Sequence, residues 1–142
     1  MMTGLPADTI QGALASATAK AEALGARVCI AIVDAGGALG GFVRVPGAFL
    51  ASTGIAMDKA YTSASFGMAT RDFSALLDGE ERCVRDGLLR RERVCEVPGG
   101  FPIMSDGALI GAVGVSGGSA AQDEEIAKSC LSAFANEKQR GA

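Results

Sequence analysis

The sequence predicts an α+β fold: a central, mainly antiparallel sheet built from two hairpins, with flanking helices. Three observations predict it. Strand-like segments come as neighbouring pairs, 27–34 with 38–45 and 101–104 with 108–116, and each pair is joined by a Gly- and Asp-rich turn, so its strands run antiparallel. Helical periodicity precedes, separates and follows these pairs instead of alternating with single strands, which favours α+β over a doubly wound sheet. The chain has 142 residues, the length of one domain that can bury a core without disulfides or metals. Residues 1–142 are therefore read as a single domain.

The elements follow in order. Pro6 and Asp8 open a first helix, because proline suits the first turn and a carboxylate complements the helix dipole. Ile10, Leu14, Ala17, Ala21 and Leu24 recur at helical spacing, and Gly25 closes the helix as a left-handed cap. Arg27 to Asp34 reads as a strand with Val28, Ile30 and Ile32 on one face and Cys29, Ala31 and Val33 on the other. Both faces are apolar, so both are expected to be covered, one of them by another subunit. The turn Asp34–Gly37 leads to a return strand, Ala38 to Val45, in which Gly40 and Gly41 allow a bulge or a close approach. Phe49 to Phe66 reads as a helix whose stripe of Thr53, Ala56, Ala60, Ala64 and Gly67 is small enough to lie close to a sheet or to its twin. Thr70 or Asp72 is expected to cap a short helix ending near Gly79, and the charged stretch Glu80–Arg93 is expected to form a solvated or subunit-bridging helix. Phe101 to Met104 and Ala108 to Ser116 form the second hairpin around Ser105-Asp106-Gly107. Ser119 and Gln122 form a capping box for the last helix, Asp123, Glu124 and Glu125 fill its first turn, and Lys128, Lys138 and Arg140 lie later. The turns of the two hairpins echo each other, with Asp-Ala-Gly-Gly-Ala-Leu-Gly-Gly from residue 34 and Asp-Gly-Ala-Leu-Ile-Gly-Ala from residue 106.

Composition excludes several function classes. The net charge is −3, and no basic stripe offers itself to phosphates, so no nucleic-acid partner is expected. There is no histidine, which removes Ser–His–Asp and Cys–His catalysis, and with it any His-ligated metal or haem. Cys29, Cys83, Cys95 and Cys130 contain no C-x-x-C pair and read as free thiols in a reducing cytoplasm. The N-terminus lacks a basic region followed by an apolar one, and no apolar run reaches membrane-spanning length. No membrane partner and a cytoplasmic location are therefore expected.

Three segments carry candidate chemistry. Ser116, Gly117, Gly118 and Ser119 end a Gly-rich strand at a helix start, where amides and hydroxyls can hold a carboxylate, although the run lacks both dinucleotide and Walker spacing. Pro98, Gly99, Gly100 and Phe101, followed by Pro102, form a stiff bend with two permissive glycines, a candidate pocket wall. Asp58, Lys59 and Tyr61 are candidate proton-transfer residues, with Arg44 a candidate carboxylate holder; Lys59 points about a hundred degrees away from Asp58 on the helix. No metal site is expected, because the acids at 123–125 have no partner cluster.

Taken together, Ala31–Leu39, Ala56–Gly67 and Pro98–Ala127 resemble the GlcG/HbpS family, also called the haem-degrading-domain or DUF336 family. The resemblance spans nearly the whole chain. It implies a compact α+β domain and homo-oligomers, often octamers, and relatives that include haem binders and corrinoid adenosyltransferase domains. The chain departs from the pattern where Pro46 stands in place of a common acid, in its Arg-rich 82–93 segment, and in having no histidine for haem. Haem would then rest on Tyr61, a cysteine, a methionine or packing alone.

The leading functional reading is a small-molecule-binding protein, with a tetrapyrrole (haem or corrinoid) as the implied ligand. The alternative is a cofactor-free isomerase, tautomerase or hydratase acting on a small carboxylate in a catabolic pathway. A ligand-free oligomeric scaffold is the third.

Overall fold

The computed structural model describes residues 4–135; Lys138 and Arg140 lie outside them. The elements are α1 (Ala7–Leu24), β1 (Cys29–Asp34), β2 (Leu39–Arg44), α2 (Ala51–Phe66), α3 (Thr70–Asp78), α4 (Arg82–Leu89), β3 (Gly100–Ser105), β4 (Ala108–Ser116) and α5 (Ala120–Leu131), followed by a single 3₁₀ turn (Ser132–Phe134). The sheet order is β2-β1-β4-β3, antiparallel throughout. The two hairpins therefore meet along β1 and β4, the strands buried on both sides.

Both hairpins carry a bulge at the matching place. Register shifts between Ile32 and Val33 opposite β2, and between Ile103 and Met104 opposite β4. The echo between the two turns is thus a shared way of bending a ribbon.

α1 and α5 cover one face of the sheet. Ile10, Ala13, Ala17 and Ala21 of α1 pack with Val28, Ile30, Ile32, Val113, Val115 and the α5 residues Ile126, Ala127 and Cys130. The buried stripe of α1 includes Ala13, with Leu14 and Leu24 only half-buried. α2 covers the opposite face, setting Ala56, Ala60 and Ala64 on Cys29, Ala31, Val33 and Ala112. This corrects the expectation that another subunit covers one side of β1: the same chain does so. It also decides the role of the alanine stripe, which lies on the sheet and not on a twin helix. Gly114 makes that approach possible, since a Cβ there would collide with the Ala56 carbonyl and come within 2.6 Å of the Ala60 nitrogen.

Local signals set most boundaries. Gly25 takes φ 67° at the end of α1, and the Ser119–Gln122 capping box is formed in both directions. Two expectations need correction. Neither Thr70 nor Asp72 caps α3 with its side chain, because the preceding Ala69 holds the cap position. The charged helix is shorter than 80–93: α4 stops at Leu89 and buries none of its residues. Among the described residues, no helix is long and apolar enough to cross a membrane.

Candidate functional site

α2 turns its alanines to the sheet and its polar side chains to residues 93–100. Lys59 is only 1% exposed. Its ammonium donates to the Val115 carbonyl at 2.7 Å and to Asp123 Oδ2 at 3.3 Å. Asp123 Oδ1 in turn accepts from the Gly118 amide at 2.9 Å. Burial pushes the Asp123 carboxyl above its ordinary value, while Lys59 and the amides of Gly118 and Gly117 pull it back. Asp123 is therefore both the helix-start acid expected from sequence and the counter-ion of a lysine on another helix.

Three residues further along α2, Thr62 clamps a turn. Its hydroxyl donates to the Arg93 carbonyl at 3.0 Å and accepts from the Cys95 amide at 2.9 Å. Between these bonds Arg93 sits at φ 71°, a left-handed conformation unusual for a residue with a long side chain. Its guanidinium carbon lies 3.9 Å from the centre of the Tyr61 ring. A Cβ on Gly37 would lie 3.3 Å from Tyr61 Cδ1, so the ring is seated against the first hairpin's turn. Burial raises the Asp58 carboxyl and Arg93 partly offsets this; burial likewise raises the Cys95 thiol.

The bend at Pro98–Phe101 is a packed seam. Gly99 takes φ 130°, a region that favours glycine, and its carbonyl accepts from the Val115 amide at 3.0 Å. The Gly100 amide donates to Thr70 Oγ1 at 3.0 Å. A Cβ on Gly100 would meet Thr70 Cγ2 at 2.7 Å and Ser63 Oγ at 2.8 Å. Ser63 Oγ is buried and has no hydrogen-bond partner among the described residues. Only the outer side of the bend is open, at exposed Val97 and half-buried Pro98 and Phe101.

The predicted site residues thus divide. Asp58 and Tyr61 share one side of α2 with the 93–95 turn. Lys59 faces another way, beneath Gly99, so the three proton-transfer candidates do not converge. The donors expected at Ser116–Ser119 are largely engaged: Gly118 N–H binds Asp123, Ser119 N–H binds Gln122 Oε1, and Ser119 Oγ accepts from Gln122 N–H. The carboxylate anticipated at this helix start is the chain's own Asp123. Arg44 lies on edge strand β2 and donates to the Ala48 carbonyl at 2.6 Å. Sequence reading took Thr70 only as a helix cap, Asp123 only as a helix-start acid and Arg93 only as the end of a charged stretch, and it did not foresee the bonds that these residues and Thr62 make across the fold. A lysine at i+3 from Ala56, on a helix face otherwise built of small residues, was the available signal for a buried counter-ion.

Thiol chemistry tests this packing. Cys83 is exposed, Cys95 partly buried, and Cys29 and Cys130 buried; burial pushes the Cys130 thiol up to about 12. Because the thiolate is the reactive form, Ellman's reagent is expected to label Cys83 first and Cys95 more slowly. Cys29 and Cys130 should react only in denaturant. Labelling of either in the native protein as fast as Cys83 contradicts the packing.

A second feature lies on the far side of the molecule. Leu14, Ala15, Thr18 and Ala19 of α1 and Val43 of β2 line an open, mostly apolar groove of about 570 Å³ edged by Gln11 and Glu22. Its size falls within the roughly 300–1,000 Å³ usual for small-molecule sites. Among the described residues, no group of three or more Cys, Asp or Glu is placed to hold a metal ion.

Comparison with known proteins adds the following. A family model described as haem-degrading protein HbpS-like matches residues 5–132. An uncharacterised 15.0 kDa protein of Citrobacter freundii, from the dhaT-dhaS intergenic region, is 33% identical over 82% of each chain. The corrinoid adenosyltransferase PduO of the same organism is 32% identical over 84% of this chain, which spans only 36% of that relative. The crystal structure of a PduOC–haem complex superposes with a TM-score of 0.83 at 32% identity, covering 92% of this chain and 94% of that one. With the α+β layers and the sheet order described above, these matches establish that the chain belongs to the HbpS-like family.

Proposed function

We propose that this protein binds a small molecule of the tetrapyrrole class, haem or a corrinoid. The observation that carries this reading is the likeness, over nearly its whole length, to a domain crystallised with haem. Relatedness to a corrinoid adenosyltransferase supports the corrin alternative within the same class.

The side chains present do not fit an iron held by a strong axial ligand. The chain has no histidine. The α1–β2 groove is lined by Gln11, Leu14, Ala15, Thr18, Ala19, Glu22 and Val43, with no cysteine, methionine or tyrosine among them to bind iron. What does suit a flat, apolar macrocycle is the α1–β2 groove. The reading is therefore of a macrocycle held by packing, with no bond from the protein to its metal.

Titration distinguishes this from axial ligation. Haemin and metal-free protoporphyrin IX are expected to bind saturably at one site per chain with affinities within about threefold of each other, since apolar burial and not ligation drives both. Cobalamin is the parallel corrin probe. Failure of haemin, protoporphyrin and cobalamin alike to saturate the protein sinks the proposal. Haemin binding with no protoporphyrin binding sinks the packing account.

We also read the chain as self-associating, with octamers as the size that the family resemblance implies. Phe49 and Leu50, 71% and 81% exposed just before α2, give an apolar projection of the kind that marks contact surfaces. A cytoplasmic location is consistent with four unpaired cysteines. The proton-transfer alternative retains Asp58 and Tyr61 on one face, while Lys59, sealed in its ion pair, drops out of it.

A further inference from the structure

Arg93 is held in place by more structure than a surface arginine needs. Its left-handed backbone, at φ 71°, costs on the order of 1–3 kcal/mol. Buried Thr62 maintains it by bonding on both sides, to the Arg93 carbonyl and the Cys95 amide. The result is a guanidinium laid 3.9 Å over the ring of Tyr61. Among the described residues it has no ion-pair partner within 4.0 Å, and Tyr61 Oη has no hydrogen-bond partner. The planar fork of a stacked guanidinium still presents its N–H edges outward.

We propose that Arg93 and Tyr61 form a binding site for a carboxylate, with the guanidinium edge and the phenol hydroxyl donating to the same group. This site is separate from the α1–β2 groove and does not rest on the tetrapyrrole reading. The carboxylate belongs either to a free small acid or to the propionate arm of a macrocycle seated on this α2 face, an outcome that would replace the α1–β2 groove as the tetrapyrrole site. Asp58, one turn before Tyr61 and within electrostatic reach of Arg93, opposes a second negative charge and so tunes affinity downward. Arg93 takes the role that sequence reading gave to Arg44.

The chain supplies its own probe, because it has one tyrosine and no tryptophan, so its tyrosine fluorescence reports this site alone. Sodium propionate is expected to change that fluorescence saturably, and propanamide is not. Arg93→Asn keeps a residue tolerant of the left-handed region and should weaken propionate binding by about tenfold or more, the scale of a charge-assisted contact. Asp58→Asn should tighten it, and the neighbouring exposed Arg91→Gln should leave it unchanged. A response shared by propanamide, a null response to propionate, or equal binding by the Arg93→Asn protein overturns the proposal. Haemin and its dimethyl ester, followed by haem absorbance, identify the source. A weaker ester with propionate competition assigns the site to a propionate arm; equal ester binding assigns it to a free acid.

Discussion

Lys59→Met is expected to be among the most damaging single substitutions in this chain. It removes the cation and leaves Asp123 buried, 3% exposed, with only backbone amides as partners. Breaking a buried pair from one side typically costs about 3–5 kcal/mol, which for a domain of this size lowers the melting temperature on the order of 10 °C. The pH dependence fixes the cause. Burial already holds the Asp123 carboxyl above its ordinary value of 3.8, and loss of Lys59 removes the main opposing effect. A carboxyl raised in the folded state favours folding while it is protonated, below its unfolded value. That contribution disappears as pH rises through the folded value. The stability deficit of Lys59→Met should therefore be small near pH 4 and grow as the pH rises above the ordinary carboxyl value. Adding Asp123→Asn removes the stranded charge while keeping an acceptor for Gly118, so the double variant should recover much of the loss. Chemical denaturation across pH reads all three. A deficit independent of pH, or a double variant no better than the single one, means that the pair is not what Lys59 provides.

Gly114→Ala is the second large effect expected. The new methyl meets the Ala56 carbonyl, the Ala60 nitrogen at 2.6 Å and Lys59 Cβ at 3.0 Å, all on α2. The two closest neighbours are helix backbone, which has no rotamer to escape into, so the helix must lift from the sheet. Overpacking of this kind typically costs about 1–3 kcal/mol, and the upper end is expected. Gly54→Ala, in the same helix with nothing within 4 Å of its would-be Cβ, is the control. It should stabilise the protein by about 0.5–1 kcal/mol through backbone entropy. Thermal melts that rank the two variants in the opposite order refute this account of α2 packing.

Much of the architecture was legible in sequence because its signals are local. Gly25 closing α1, the Ser119–Gln122 box and the Asp106-Gly107 turn each act within a few residues, and each hairpin paired its strands as its turn required. The site was less legible for the opposite reason. Lys59 meets Asp123 across 64 positions and Thr62 meets Arg93 across 31. No periodicity within one element records such partners. The serine-bearing helix start shows both sides of this. Its attraction for a carboxylate could be read from the residues, but the identity of that carboxylate, Asp123, depended on its lying on the same buried side as Lys59.

The seating of residues 93–100 has a consequence for how the molecule opens. Thr62 holds the Arg93 carbonyl and Cys95 amide, Thr70 holds the Gly100 amide, and Lys59 lies under Gly99. Three of these four attachments come from one helix. A fluctuation that peels α2 from the sheet therefore releases the lead-in to β3 in the same event. The helix and this distant stretch of chain form one cooperative unit of local unfolding, although more than 25 residues and two further helices separate them in sequence.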